Sequence, residues 1–322
     1  MAYAPAGNTT STGTISHLAT VYYNRRGLSH LKKKFRFRDM TWPDEIPLRN
    51  GLLVQWYRYS LFAANITPSA EGTVGTSLPL TTSTVTATVS EYSDFVSLSK
   101  LLTEVAIDPI ATNASEQLGY RAGLSVDTIT RTEFDSVATT ATDFSATLGA
   151  YATVNDIRRS VAVLKGADVM PMDSDGNYGV IVHPYVTFDI MSDNTAGGFI
   201  DITKYARPGD NFEGECGKVY GARIVESTNV ATSGTAPNVL YYAYVVGQQA
   251  VGSVSLAGAG PSNVTDPNAQ SFKINAFSSG PNPADPEGKI GSYCSYRFVY
   301  AAKILDTSTY RFRRIPCNAS LV

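Results

Sequence analysis

The stretch that decides the fold runs from Leu98 to Val137 and reads LSKLLTEVAIDPIATNASEQLGYRAGLSVDTITRTEFDSV. It begins with a short amphipathic turn in which Ser99 is placed to cap the following amides. Asp108 and Pro109 then form a second helix start, an N-cap acceptor followed by proline at the first helical position. No further proline occurs before Val137, so the stretch predicts one helix of roughly 40 Å from Pro109 to Val137.

The apolar face of this predicted helix is made mostly of small residues at three- and four-residue spacing. Its members are Ala111, Ala114, Leu118, Ala122, Ser125 and Ile129. Small side chains let another element approach the helix backbone closely. Because the rest of the chain is rich in strand and loop patterns, we expect this long helix to be the support on which the other parts are mounted.

Composition limits the class of protein. The chain has 322 residues, of which 43% are hydrophobic and 17% charged, which is enough for one large domain or two closely joined ones. No apolar run approaches the roughly 18 residues of a membrane span, and residues 1–20 lack a signal-peptide pattern. The three cysteines are far apart without a CxxC pair, which favours free thiols in a reducing cytoplasm.

Charge is distributed unevenly along the chain. Residues 1–40 carry seven basic residues against Asp39, or 7 − 1 = +6, so a total of −2 leaves −8 for the rest. The basic residues are Arg25, Arg26, Lys32, Lys33, Lys34, Arg36 and Arg38. The cluster Lys32–Arg38, at the end of this segment, is open to three interpretations: a specific nucleic-acid site, a solvated helix end, or a lumen-facing patch that touches phosphates without sequence preference. We favour the last two together.

Before the long helix, the pattern predicts an extended arm over residues 1–14, a helix over Ile15–Lys34 and a strand start at Phe35–Arg38. Two β-prone runs follow, at Leu52–Ser60 and Thr84–Leu98. We expect them to form a long hairpin whose tip, Leu61–Ser83, is rich in Thr, Ser and Gly. A tip of this composition is costly to order alone, so it is either mobile or lies on a neighbour.

After the long helix, the sequence predicts a second helix at Val154–Gly166, capped by Thr153 or Asn155. Further elements follow in an α/β arrangement that ends in one long strand at Lys289–Leu305, which Thr309–Ile315 continues. The elements between are Tyr178–Val182, Tyr185–Ser192, Phe199–Tyr205, Ala222–Thr228, Leu240–Val246, Ala250–Leu256 and Ser271–Phe277.

Candidate catalytic and metal-binding groups are few. His183 precedes Pro184, but with only two other histidines in the chain a structural role is the better interpretation. The run Asp173–Asn177 is similar to a calcium loop, yet its glycine is one place early and Pro184 stands where the closing Glu belongs. A plain turn between helix and strand fits better. We therefore expect no catalytic residue, no metal and no cofactor.

Nine short words, taken in order, are similar to those of a known family. They are Leu48-Arg49-Asn50-Gly51, Ser90-Glu91-Tyr92-Ser93-Asp94-Phe95-Val96, Ala106-Ile107-Asp108-Pro109, Asp156-Ile157-Arg158-Arg159, Val182-His183-Pro184, Phe199-Ile200-Asp201, Lys204-Tyr205-Ala206, Gly217-Lys218-Val219-Tyr220-Gly221-Ala222-Arg223 and Asp285-Pro286-Glu287-Gly288-Lys289-Ile290-Gly291. Together with the order of elements, they resemble the major capsid proteins of tailed bacteriophages with the Hong Kong 97-type fold. Within that fold, the podophage family typified by the coat protein of phage N-four is the most similar.

The resemblance implies an α+β fold divided into named parts. These are an N-terminal arm (1–48), an extended E-loop hairpin (49–97), a spine helix with a peripheral domain (98–178), an axial domain (179–256), and a loop with return strands to the peripheral domain (257–322). The second helix falls in the peripheral domain in this division. Departures from the family pattern lie in Leu61–Ser83 and Gly258–Gly280.

The resemblance also implies a function. We expect a non-enzymatic coat protein that assembles with itself into pentamers and hexamers of an icosahedral phage head around double-stranded DNA. A portal and possibly scaffolding or decoration proteins would be further partners. The protein would act in the virion after assembly in the host cytoplasm, without a membrane.

Two sets of residues are candidates for contacts in such a shell. The basic arm residues given above would face the lumen and its DNA, and Trp56, Tyr57, Arg58 and Glu71 of the E-loop would touch another subunit. Two alternatives stay open: a cellular encapsulin-type shell, and a secreted β-rich adhesin or hydrolase. Five Asn-x-Ser/Thr triplets would suit the latter, although a chain rich in Thr, Ser and Asn yields them by frequency.

Overall fold

The computed structural model describes residues 35–47, 50–105, 110–137, 150–193, 215–256, 273–278 and 290–321, apart from residues 70, 73, 76, 236–238 and 308. The predicted arm and the predicted helix at Ile15–Lys34 lie outside these residues, as do the Asp108–Pro109 helix start and the element predicted at Phe199–Tyr205. Among the described helices, none is long and apolar enough to cross a membrane.

The described chain forms thirteen strands, four α-helices and a short 3-10 helix at Arg38–Met40. The helices are α1 (Lys100–Val105), α2 (Ile110–Asp135), α3 (Val154–Gly166) and α4 (Pro184–Met191). The strands are β1 (Trp42–Ile46), β2 (Leu53–Tyr59), β3 (Thr82–Thr88), β4 (Ser90–Ser99), β5 (Tyr178–Val182), β6 (Glu215–Val219), β7 (Ala222–Glu226), β8 (Thr232–Ser233), β9 (Leu240–Val246), β10 (Val251–Leu256), β11 (Lys273–Ser278), β12 (Ile290–Ile304) and β13 (Phe312–Asn318).

Helix α2 is the predicted long helix, and its 26 residues span about 39 Å. The short turn before it begins as expected, since the Leu102 N–H donates to Ser99 Oγ at 3.2 Å. Of the residues on its apolar face, Ala122 is fully buried and Leu118 nearly so. The side chains that pack against them are large, and come from β12: Tyr296, Phe298 and Tyr300. The small face of the helix and the aromatic face of the strand are therefore complementary in size.

A five-stranded sheet carries α2 on one face. Four of its strands are hydrogen-bonded in the order β1-β10-β12-β11, and the fifth, β4, also pairs with the long strand β12. Because side chains alternate along a strand, Tyr300 of β12 faces α2, while Val299 lies in a separate cluster with Ile46, Val89 and Val254. This second cluster receives the base of the β2–β3 hairpin. The long helix and the hairpin thus sit on opposite faces of one sheet.

A six-stranded sheet forms the second layer, in the order β13-β9-β5-β7-β6, with β8 paired to β9. Helix α3 covers one face through Ile157, Val161 and Leu164. The other face meets the C-terminal end of α2, where Phe134 packs among Phe37, Tyr244 and Phe312 at ring-centroid distances of 5.0–6.1 Å. The end of α2 is therefore shared by both sheets.

Three sequence-based predictions about these elements are wrong. Phe35–Arg38 does not start a strand, because backbone groups there bond locally, as in Met40 N–H to Phe37 O at 3.2 Å, and form the 3-10 helix. The run Thr84–Leu98 is two strands, since β3 pairs with β2 and β4 pairs with β12. The segment after Leu305 does not continue β12 but turns back to pair with β9.

The placement of α3 also differs from the expected division. Its apolar face packs on the six-stranded sheet, not beside α2, and β13 joins that same sheet. The expected limits at residues 178 and 256 therefore do not coincide with the two sheets. The capping choice left open by the sequence is resolved in favour of Thr153, whose N–H donates to Asp156 Oδ2 at 3.1 Å.

One buried carboxylate joins three parts of the fold. Asp127 of α2 is 1% exposed; its Oδ1 accepts the N–H of Phe37 and its Oδ2 accepts the Nδ2–H of Asn229, both at 2.8 Å. Phe37 lies in the segment leading into β1, and Asn229 follows β7. Burial raises the pKa of this carboxyl above its ordinary 3.8, although the Asn229 and backbone hydrogen bonds oppose the shift.

We predict that Asp127→Ala destabilises the unassembled protein by about 1–3 kcal/mol for each buried donor left unpaired. Because the pKa of Asp127 is raised in the native state, there is a pH window above 3.8 in which the native state still holds a proton that the unfolded chain has lost. Through that window this group makes the free energy of unfolding fall as pH rises. The variant should lack this part of the slope. Urea unfolding at several pH values measures both effects.

The matched control is Asp39→Ala, which removes an exposed carboxylate that lies 3.6 Å from Arg36 Nη1. We expect it to change stability by no more than about 0.5 kcal/mol. Equal stability of the Asp127→Ala variant and this control would contradict the joining role of Asp127.

Candidate assembly interface

The β2–β3 hairpin stands apart from both sheets as a two-stranded ladder of its own. Its seven residue pairs run from Leu53↔Thr88 to Tyr59↔Thr82, and the Ser60 N–H to Thr81 O bond of 3.0 Å closes the far end. Beyond it lies the hairpin tip, residues 61–80, whose described residues contain no helix or strand. A hairpin is confirmed here, but its second strand ends at Thr88 and not at Leu98, and its tip is slightly shorter than expected.

The hairpin tip exposes large apolar side chains to solvent. Leu61 is 98% exposed, Ile66 90% and Val74 100%, and β2 with the residue before it adds further exposed residues. The set comprises Leu61, Phe62, Ile66, Val74, Leu78 and Leu80 in the tip, with Leu52, Leu53, Tyr57 and Tyr59 below it. Single exposed apolar residues are ordinary, but a whole element of them marks an interaction surface.

A second exposed apolar group lies where β4 runs into α1. Phe95 is exposed on β4, and α1 adds Leu101, Leu102 and Val105. The five-stranded sheet covers neither set, so the protomer presents apolar surface on two elements that flank β12 and α2. Exposed apolar surface of this extent marks a site of interaction.

Two of the four E-loop residues expected at a subunit contact also bind the protomer's own body. Trp56 packs in the cluster with Ile46 and Val254, and Arg58 Nη1 lies 2.5 Å from Asp306 Oδ1. Tyr57 and Glu71 are exposed, and the Tyr57 hydroxyl lies 3.1 Å from Gln55 Oε1. The structure therefore separates a base that is anchored within the protomer from a tip that is free for other contacts.

The anchoring partners were not predicted from the sequence. They are Asp44 in β1, Gly252 in β10 and Asp306 after β12. Asp306 lies 248 positions beyond Arg58, so no spacing rule connects them. A partial signal was available for Trp56, since a buried indole N–H needs an acceptor and Asp44 lies in the preceding strand.

The basic arm residues Arg25, Arg26, Lys32, Lys33 and Lys34 lie outside the described residues. Arg36 and Arg38 lie at the body end of the arm. Arg36 Nη1 is 3.6 Å from Asp39 Oδ2, and Arg38 lines a cavity of about 390 Å³ between α2 and β12 with Phe35, Gly123 and Asp127. The structure brings these two arginines to the protomer body and does not test the DNA contact expected of the arm.

The chemical alternatives weighed from the sequence have structural explanations. His183 caps α4, with its Nδ1 accepting the Tyr185 N–H at 3.2 Å. Asp173–Asn177 forms the expected turn, and Arg223 Nη2 lies 2.9 Å from carboxylate oxygens of both Asp173 and Asp175. The Arg223 guanidinium therefore neutralises the two carboxylates that a calcium ion would need as ligands in this turn.

Other reactive groups are few among the residues that the structure describes. No group of three or more His, Cys, Asp or Glu side chains there could hold a metal ion. The thiol of Cys317 donates to the carbonyl oxygen of Tyr241 at 3.2 Å, and burial raises its pKa to about 12, which keeps it protonated. A thiol in that state is a poor nucleophile.

The sequence profile of the family described as "Phage capsid protein" matches residues 81–290, more than half of the chain. The chain belongs to the phage capsid protein family. The match includes β4, α2, every strand of the six-stranded sheet except β13, and β10 and β11 of the five-stranded sheet, and it ends at the start of β12. No curated protein matches the sequence significantly.

Solved capsid structures share the fold of this capsid protein over nearly its whole length. The capsid of cyanophage P-SCSP1u matches with a TM-score of 0.67 and 16% identity, covering 99% of both chains. The capsid of cyanophage Pam1 gives 0.67 and 15%, and that of Ralstonia phage GP4 gives 0.66 and 12%; each covers 98% of this chain and 99% of the other. At these identities the likeness establishes the fold.

The expected α+β fold of the Hong Kong 97 type is therefore confirmed, and so is the function of major capsid protein of a phage head. The family is one of structural capsid proteins, and capsid assembly places the protein in the virion. Similarity to the N-four-like branch stays a prediction.

Proposed function

We propose that this capsid protein closes its shell by laying the β2–β3 hairpin across a neighbouring copy, within pentamers and hexamers that enclose double-stranded DNA. The observation that carries the proposal is the exposed apolar side chains of the hairpin tip. In this role the protein is a structural component and not an enzyme.

Energetics support a neighbour as the cover of the tip. Burying one Leu, Ile or Val side chain contributes about 1.5–3 kcal/mol. Ordering the tip costs about 1–2 kcal/mol for each residue fixed, and all the described residues of the tip are exposed. The protomer therefore has little to offset the cost of ordering its tip, whereas a neighbour supplies the missing apolar contacts.

The charge of the tip fits this role. Glu71 is the only charged residue between Leu61 and Thr81. Interface cores are depleted of charge, and a lone carboxylate at such a surface fixes position through one cationic partner. We propose that Tyr57 and Glu71 contact the neighbour, whereas Trp56 and Arg58 support the hairpin from within the protomer.

The two sheets suggest a revised division of the body. We propose that the five-stranded sheet with α2 forms the peripheral domain, and that the six-stranded sheet with α3 and α4 forms the axial domain. The predicted arm (1–48) and E-loop (49–97) keep their expected roles, although β1 and β4 lie in the peripheral sheet. The portal, scaffolding or decoration proteins, and assembly in the host cytoplasm complete the proposal.

We predict that replacing residues 61–80 by Asn-Gly leaves a folded protomer that no longer closes shells. The Ser60–Thr81 bond already closes the ladder, and Asn-Gly is the favoured two-residue hairpin turn. Thermal melting should show a cooperative transition close to that of the wild type. Sedimentation velocity and negative-stain microscopy should show capsomers or protomers without shells.

A replacement of the same length by a Gly/Ser segment is the control that separates tip length from tip chemistry. It should also fail to close shells, because the apolar side chains are gone while the reach is kept. Closed shells from either variant would contradict the proposed role of the tip.

A second prediction concerns the basic arm. We propose that its lysines neutralise packaged phosphates without contacting bases, so that Lys32→Gln, Lys33→Gln and Lys34→Gln together leave shell assembly intact and loosen the DNA. The defect should shrink as salt rises, because counterions then screen the same phosphates. DNA release on heating, measured at two ionic strengths for wild type and variant, tests this.

Failure of the triple variant to assemble would show that the lysines are lattice contacts. Replacing Lys32, Lys33 and Lys34 by arginine is the matched control, since it keeps the charge and should keep the DNA as firmly as the wild type.

A further inference from the structure

The angle at which the hairpin leaves the body is held mainly by side chains. β2 and β3 pair with each other and with neither large sheet. At the base, the Val89 N–H to Leu52 O bond of 3.0 Å also joins the hairpin only to itself. Side-chain contacts between hairpin and body, added to the covalent link of β3 to β4 through the buried Val89, therefore fix its direction.

The first of these contacts is a close approach of Trp56 to the backbone of β10. A Cβ at Gly252 would lie 2.9 Å from Trp56 Cζ2 and 3.2 Å from Cη2, and also 2.9 Å from Leu305 Cδ2. Gly252 pairs with Trp42 on one side and Lys303 on the other, so its backbone is held in the sheet. The Trp56 indole lies against Gly252, the one residue of β10 that has no side chain.

Two polar contacts fix the hairpin on this support. The Trp56 Nε1–H donates to Asp44 Oδ2 at 3.1 Å, and Arg58 pairs with Asp306, whose side chain is 3% exposed. Asp306 also accepts the Thr309 N–H at 3.2 Å and lies 3.4 Å from Arg311 Nε. Asp306 is thus held by its own loop, and Arg58 adds the hairpin to a partner already in position.

The base of the hairpin does not pack flush against the body. A cavity of about 170 Å³ lies between them, lined by Trp42, Trp56, Arg58, Gln249 and Arg311 among others. Space at this place lets the hairpin rotate about Trp56 if the contacts change. In a close-packed base the same rotation would require the core to repack.

We propose that the Trp56–Gly252 contact and the Arg58–Asp306 pair are the positioning contacts that set the hairpin angle, and through it the curvature of the shell. This inference rests on the proposed function of the hairpin as the contact with a neighbouring copy. Seven-residue strands reach about 23 Å, so a rotation of about 10° at the base moves their far end by about 4 Å. A displacement of that size changes the angle between neighbouring subunits.

The test is Gly252→Ala in the full-length protein. The added methyl meets the rigid indole and the end of the flexible Leu305 side chain; Leu305 can rotate away, whereas the indole must shift, which changes the hairpin angle without touching the tip. We expect shells with a shifted mean diameter or a broader diameter distribution in electron micrographs. The control is Gly166→Ala at the end of α3, where a Cβ meets nothing within 4 Å and diameters should stay as in the wild type.

Arg58→Gln is a second variant, for the case that Gly252→Ala does not fold. It removes one of the contacts that hold the hairpin and leaves Asp306 with Arg311 and Thr309. Its control is Arg297→Gln, which breaks an exposed pair with Glu91 on the five-stranded sheet. Arg58→Gln should broaden the diameter distribution, and Arg297→Gln should not.

Fluorescence gives a readout that a merely structural role would not change. Trp42 and Trp56 are the only tryptophans of the chain, and both line the cavity. In unassembled Trp42→Phe protein, the emission of Trp56 should shift to longer wavelength when Arg58→Gln is added. Wild-type diameters together with unchanged emission for both hairpin variants would overturn the proposal.

The two proposals fail in distinguishable ways. If shells close after the tip is replaced, the neighbour contact of the hairpin is wrong, and the emission shift in unassembled protein still tests the positioning contacts. If the tip proves essential but Gly252→Ala and Arg58→Gln leave shell diameter unchanged, the hairpin contacts a neighbour and its base does not set curvature.

Discussion

The packing of the C-terminal half of α2 against both sheets is the interaction on which the rest of the fold depends. Asp127 ties the helix to the segment before β1 and to the loop after β7, and Asp135 accepts the hydroxyl of Tyr244 at 2.6 Å in the six-stranded sheet. Phe134 packs against Phe37, which precedes β1, and against Tyr244 and Phe312 of the six-stranded sheet. Because each contact joins elements distant in sequence, the helix aligns the two sheets, and a subunit with fixed geometry can enter a lattice.

The hairpin follows the opposite physical rule. The body packs most of its large apolar side chains into buried clusters and pairs its buried carboxylates, whereas the hairpin leaves apolar side chains exposed on β2 and through the tip. Apolar surface of this kind drives association that is non-directional by itself. Direction comes from the base, where Trp56 and Arg58 are held by the body. The division between an anchored base and an exposed tip is what a self-assembling subunit needs.

The local sequence pattern predicted most helices and strands. It could not predict which elements pair when they are far apart in the sequence. The 26-residue helix, the β2–β3 hairpin and strands β5 and β9 follow from periodicity and caps, because these signals lie within one stretch of chain. The place of β13 in the second sheet and the burial of Asp127 depend on partners far away in sequence. For the interface, composition indicated the tip, but nothing local linked Trp56 to Gly252 or Arg58 to Asp306.

Hydrogen exchange of the hairpin, compared between unassembled protomers and closed shells, tests the central claim most directly. Amides of the tip that have no partner in the protomer should exchange rapidly in free protein and become strongly protected in shells. The core of α2 should be protected in both states. Equal and rapid exchange of the tip in shells and in protomers would contradict the account, since it would mean that no neighbour covers the hairpin.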